Sequence, residues 1–89
     1  MIIETHSTFD KNFAKRIKRN SKLVLKYQKR LSLFILNSND PLLKDHSLTG
    51  KKKGLRAFSI TGDVRIIYLK IKKDHYLFID IGSHNQVYK

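Results

Sequence analysis

The sequence predicts an α+β fold in which a helical hairpin covers one face of a mostly antiparallel sheet. Three observations carry this. Apolar residues recur at helical spacing through two successive segments of the first half. Three β-rich runs in the second half are joined by two close turns, the mark of an antiparallel meander. The resulting order of strand, helix, helix, strand, strand, strand leaves the apolar stripe of the helices one place to go, against the sheet.

Met1 to His6 alternates and is rich in β-branched residues, which predicts a short strand. Ser7 offers a helix N-cap, with Asp10 three residues later as a variant capping box. Phe9, Phe13 and Ile17 follow at helical spacing with basic residues between them, so an amphipathic helix is expected from about Thr8 to Arg19. Asn20-Ser21 reads as a break and a second cap. Leu23, Tyr27, Leu31 and Phe34 then recur every three or four residues, giving a second helix that ends near Asn37. Asn37 to Pro41 is a turn run, and Pro41 blocks further helix.

Pro41 to Gly54 reads as a polar loop. Strands are expected over Leu55–Thr61, Val64–Ile71 and Tyr76–Ile81, turned by Gly62-Asp63 and Lys72-Lys73-Asp74, with Gly82 breaking the last. Phe58, Tyr68, Tyr76 and Phe78 are assigned to packing. Ser83 to Lys89 reads as a polar tail with an aromatic, Tyr88, near its end. Eighty-nine residues make one domain, residues 1–89.

Charge is the strongest functional signal. Nineteen Lys and Arg against seven Asp and Glu give +12. Self-repulsion of that size opposes a compact fold, so a polyanionic partner is expected: nucleic acid first, a membrane surface second, an acidic protein third. There is no cysteine, hence no disulfide framework or thiolate metal site, which suits a reducing cytosol. The N-terminus lacks the basic start and apolar run of a signal peptide, and no apolar stretch is long enough to span a bilayer. A cytoplasmic location is expected. The four histidines are scattered without ligand spacing, so neither a metal site nor a cofactor is expected. His6, at a strand end, and His75, in a turn, are read as structural or exposed.

Four motifs then stand in order along the whole chain. Asp45-His46-Ser47-Leu48-Thr49-Gly50 followed by Gly54-Leu55-Arg56, the strand Asp63 to Tyr68, and the ending Ile81-Gly82-Ser83-His84 with Tyr88 four residues on resemble segments of YafQ-like toxins. The hairpin and three-strand order resemble the same RelE/ParE superfamily. The resemblance implies a RelE-like fold and a type II toxin that cleaves mRNA on the ribosome without metal and is neutralised by a cognate antitoxin. His46, Asp63 and His84 match polar catalytic positions of the family, and Tyr88 an aromatic one. Ser59 stands where the family has a further histidine, and Val64 where it has tryptophan.

The residue types fit that chemistry. Cleavage by the RNA's own 2′-hydroxyl needs a base, an acid for the leaving 5′ oxygen, and cations around the crowded phosphate. Histidine begins near working pH, and arginine or lysine supplies the charge. His46, Asp63, His84 and Arg65 form the expected catalytic set, with His84 as acid or base, His46 as base or loop anchor, and Asp63 as orienting group or turn residue. Lys51, Lys52, Lys53, Arg56, Ser59 and Tyr88 form the expected RNA-binding set. Arg56 and Arg65, on adjacent strands, are expected to clamp phosphate together. The basic helix face is assigned to ribosome docking. Three readings compete: a ParE-like gyrase inhibitor of the same fold, a non-catalytic basic nucleic-acid-binding module, and a toxin that has lost activity but still binds its antitoxin.

Overall fold

A computed structural model describes residues 1–88; Lys89, the end of the polar tail, lies outside the described residues. The chain runs β1 (Ile2–Thr5), α1 (Ser7–Arg16), α2 (Ser21–Leu36), β2 (His46–Ser47), β3 (Arg56–Ser59), β4 (Val64–Lys72), β5 (His75–Ser83) and α3 (His84–Val87), with 3-10 turns at Pro41–Leu43 and Gly50–Lys52. The sheet order is β1-β5-β4-β3-β2. β1 pairs with β5 in parallel and every other pairing is antiparallel. The predicted α+β class and the helical hairpin on one sheet face are present.

Several boundaries differ from expectation. His6, not Ser7, caps α1: its Nδ1 accepts the Thr8 backbone N–H at 3.0 Å, and Ser7 is already helical. α1 stops at Arg16, so Lys18 and Arg19 belong to the turn. Asn20 caps α2 as expected, its side-chain oxygen accepting from the Lys22 and Leu23 N–H groups. Asn20→Ala strips both bonds and is expected to lower stability by about 1 kcal/mol in urea titration. An unchanged midpoint would assign the start of α2 to packing alone.

The expected loop from Pro41 holds a fully buried Leu43 and the two-residue strand β2. β5 runs through Gly82, which does not break it, and starts at His75, which is therefore a strand residue and not a turn residue. His75 Nε2 meets Glu4 Oε2 at 2.6 Å. A side chain at position 82 would sit 2.7 Å from both Arg16 Nη1 and Gln86 Oε1, so glycine there serves close approach rather than termination. Within the expected tail, His84–Val87 form α3. Ser83 accepts from the Gln86 backbone while the Gln86 side chain accepts from the Ser83 N–H, a complete capping box.

Strand alternation splits the apolar residues between the two sheet faces. Phe58, Ile60, Ile66, Tyr68, Phe78 and Ile81 join Phe9, Ile17, Phe34 and Leu43 in the larger core. Phe34 of α2 is its hub, stacked on Phe58 at 4.6 Å and edge-on to Tyr68 and Tyr76. On the other face Ala57 and Ile67, direct cross-strand partners, pack with Val87, Leu48, Leu55 and Tyr88. That smaller cluster ties α3 to the face the helical hairpin leaves open.

Candidate functional site

A cleft of about 660 Å³ lies on this second face, lined by residues that include His46, Lys51, Lys52, Arg65, His84 and Tyr88. Each arrives by a local cause. His46 of β2 is the register partner of Ala57, so it shares Ala57's face of the sheet. Lys51 and Lys52 sit on the 3-10 turn between Gly50 and Gly54, both at positive φ (66° and 93°), a conformation that favours glycine. His84 opens α3 and Tyr88 closes it. Their rings meet edge to face at 4.6 Å.

Arg65 reaches the same cleft from the sheet itself. Its guanidinium lies over the Tyr88 ring, 5.8 Å from the centroid. Its Nε and the Tyr88 hydroxyl are the only buried side-chain polar atoms without a hydrogen-bond partner among the described residues. Buried polar groups are almost always satisfied in folded proteins. Two orphans on one cleft wall leave bonding capacity there that no atom of the described residues fills.

The neutral tautomer of His46 follows from one contact. Its Nδ1 lies 2.9 Å from the Lys44 carbonyl oxygen. A carbonyl only accepts, so the hydrogen sits on Nδ1 and the lone pair is left on Nε2. In that tautomer Nε2 is the ring nitrogen free to accept a hydrogen bond. For His84, the backbone N–H donates to Asp63 Oδ1 at 3.2 Å. The carboxylate holds the backbone that carries the imidazole and does not contact the ring.

Four of the ten expected residues lie outside the cleft lining. Arg56 pairs with Tyr68, and its parity is that of Phe58 on the helix-facing side. Arg65 pairs with Ser59 on the opposite face. The expected two-arginine phosphate clamp is therefore not formed, because side chains an even and an odd step along paired strands cannot share a face. Arg56 instead bonds Asp45 and Ser47. Ser59 is 8% exposed and Asp63 belongs to the turn beneath α3. Lys53 lies just past the two lysines that line the cleft.

Asp45, which the sequence presents only as part of a motif, sits in a charged network. Its carboxylate accepts from the Tyr68 hydroxyl at 2.5 Å and from Arg56 Nε at 3.2 Å. Burial first, and then the Asp45 carboxylate, push the Tyr68 hydroxyl well above the ordinary tyrosine range, against an opposing pull from Arg56. For Arg56 burial lowers the pKa, but Tyr68 and Asp45 together outweigh it and the net direction is up. The folded state thus holds the Tyr68 proton more tightly than the unfolded chain. The stabilisation is complete below the ordinary tyrosine value and is lost as pH rises through the raised one. Wild type is expected to exceed Tyr68→Phe in stability at neutral pH, with the gap narrowing in alkaline urea titrations. A gap constant with pH would mean that the folded state holds the Tyr68 proton no more tightly than the unfolded chain does.

A helical hairpin thus covers one face of a small basic sheet, and a histidine- and arginine-lined cleft opens on the other. The family described as "Bacterial toxin of type II toxin-antitoxin system, YafQ" matches residues 1–89, and the chain belongs to it. The structure is similar to YafQ from E. coli, at a TM-score of 0.81 and 25% identity, covering 98% of this chain and 97% of that one. It is similar to the toxin of the E. coli DinJ-YafQ complex at 0.78 and 27%, covering 98% and 97%. A YoeB/ParE toxin from Agrobacterium tumefaciens shares the fold at 0.76 and 16% identity, covering 94% and 99%. Among curated proteins none matches the chain in sequence. No helix of the described residues is long and apolar enough to cross a membrane.

Proposed function

We propose that this toxin is a ribosome-dependent, metal-independent endoribonuclease of mRNA, acting in the cytoplasm and restrained by a cognate antitoxin. The observation that carries the reading is the pair of unpartnered buried donors, Arg65 Nε and Tyr88 Oη, on a cleft that also holds two histidines and two lysines. E. coli YafQ forms a complex with DinJ, which supports an antitoxin partner for this chain. The net charge of +12 supports a polyanionic substrate.

In this reading His46 Nε2 removes the proton of the ribose 2′-hydroxyl. The 2′ oxygen attacks the adjacent phosphorus and the bond to the 5′ oxygen breaks. His84 protonates that leaving oxygen, so one fragment ends in a 2′,3′-cyclic phosphate and the other begins with a 5′-hydroxyl. Arg65, Lys51 and Lys52 offset the negative charge that concentrates on the phosphate as the fifth bond forms. Tyr88 offers a face on which a base stacks. Asp63 keeps His84 in place through its backbone N–H.

The test is mapping of mRNA 5′ ends in translating extract with wild type and His84→Ala. New ends on ribosome-bound message, lost in the variant, are expected. Cuts that persist undiminished would remove His84 from the chemistry. No cuts with wild type, alongside arrested DNA replication, would replace this function by gyrase inhibition. Salt-sensitive binding without products would leave a nucleic-acid-binding module.

A further inference from the structure

The segment that carries His46 is held from the side of the sheet opposite the cleft. Leu43 is sealed in the larger core. Asp45, immediately before the histidine, is bonded to Tyr68 and Arg56. Ser47, immediately after it, accepts from Arg56 Nη1 at 2.8 Å. One guanidinium thus grips both neighbours of His46, while β2 pairing sets His46 itself on the cleft face. Lys44 takes a left-handed backbone conformation, φ 50° and ψ 38°, and its carbonyl is the group that His46 Nδ1 meets. A lysine in that region costs free energy and persists only where its surroundings hold it.

The hold is built to last. The Asp45 side chain is 14% exposed, and its bonds are charge-assisted, the stronger kind. Tyr68 is anchored in the aromatic core, with its ring edge-on to Phe34, so the hydroxyl has little freedom to swing away. Neither Tyr68 nor Asp45 lines the cleft. Their side chains therefore have no direct route to a substrate there, and any influence on chemistry must pass through residues 44 to 47.

We propose that Asp45, Tyr68 and Arg56 form a positioning unit that keeps His46 in a single tautomer, with Nε2 bare toward the cleft. The proposal rests on the reading of His46 as the base. With the unit intact, the left-handed turn at Lys44 presents its carbonyl to Nδ1 and excludes the other tautomer. With the unit broken, the turn relaxes, the bond to Nδ1 opens, and an untethered imidazole mixes both tautomers. The fraction that carries hydrogen on Nε2 is unable to accept the 2′ proton.

Tyr68→Phe removes one oxygen and keeps the ring in the core, and Asp45→Asn removes the charge at nearly constant volume. Long-range proton–nitrogen NMR of the ¹⁵N-labelled chain reads the ring nitrogens of each histidine directly. In the neutral imidazole of wild type, His46 is expected to show a protonated Nδ1 and a bare Nε2. Both variants are expected to show mixed tautomers at His46 and an unchanged His84. Single-turnover cleavage on programmed ribosomes is expected to fall between about tenfold and a hundredfold, with ribosome affinity held, as for a misplaced catalytic group. A wild-type ring with hydrogen on Nε2 overturns the proposal. So does a His46 that keeps the Nδ1–H tautomer in whichever folded variant is measured. The spectra need no RNA, so a wild type that makes no cuts would defeat the proposed function and leave the tautomer to decide this one.

Discussion

Arg65→Ala is expected to lower single-turnover cleavage by about two to three orders of magnitude, the usual loss when one preorganised donor is removed from a developing oxyanion. The guanidinium sits at the wall shared by Tyr88, in a cleft that also holds both histidines. Its Nε is buried and bonds no protein atom, so truncation breaks no hydrogen bond through that nitrogen. Thermal unfolding is therefore expected to shift little, and the loss belongs to the chemical step. Arg65→Lys is expected to restore charge but not the planar two-point grip, and so to recover only part of the rate. Lys53→Ala serves as the comparison. It lies outside the cleft lining and is expected to weaken RNA binding modestly, with the salt slope smaller by about one. Equal losses from Arg65→Ala and Lys53→Ala would show that the cleft arginine is only part of a diffuse positive field.

The parts of this fold that sequence discloses are those with a period. α1 and α2 carry apolar residues every three or four positions, and both form with their apolar side on the sheet. β4 is an apolar run bounded by turn residues, and it forms. What stays hidden has either no period or no local cause. β2 is two residues long, too short for alternation to register, and it becomes a strand only because β3 offers it an edge. The parallel pairing of β1 with β5 joins residues more than seventy apart in sequence. α3 is polar and brief, although the spacing of Ser83 and Gln86 is that of a capping box and was readable.

The candidate site divides in the same way. His46, Arg65, His84, Lys51, Lys52 and Tyr88 were nominated from residue type and motif, and the fold gathers them in one cleft. The pairing of Arg56 with Arg65 failed on parity. Arg56 is an even step from Phe58 and Arg65 an even step from Ile67, which places them on opposite faces. Alternation alone did not reveal this because β3 and β4 are apolar on both faces at their centre. The Asp45 network was invisible for a different reason: Tyr68 lies 23 residues away, and nothing local joins the two.

The largest expected loss of stability follows Phe34→Ala. Phe34 is fully buried and packs on Phe58, Tyr68, Tyr76 and Phe78, so it joins α2 to three strands at once. Removing the ring costs the transfer free energy of its atoms and leaves a cavity among aromatic rings too rigid to close it, together about 3–5 kcal/mol. A domain of this size has little more than that in reserve, about 5–15 kcal/mol at most and at the low end for so short a chain. The charge of +12 subtracts from it further. Phe34→Ala is therefore expected to populate the unfolded state measurably at room temperature in low salt, with urea titration as the measure. Added salt screens the self-repulsion and is expected to recover part of the loss. Phe34→Leu keeps most of the volume and is expected to cost about half as much or less. A loss below about 2 kcal/mol for the alanine variant would mean that α2 shifts to fill the gap. That shift would move Phe58 and Tyr68, and with Tyr68 the bond to Asp45. Cleavage per folded molecule then separates the two cases: unchanged if the core stays fixed around a cavity, reduced if it closes.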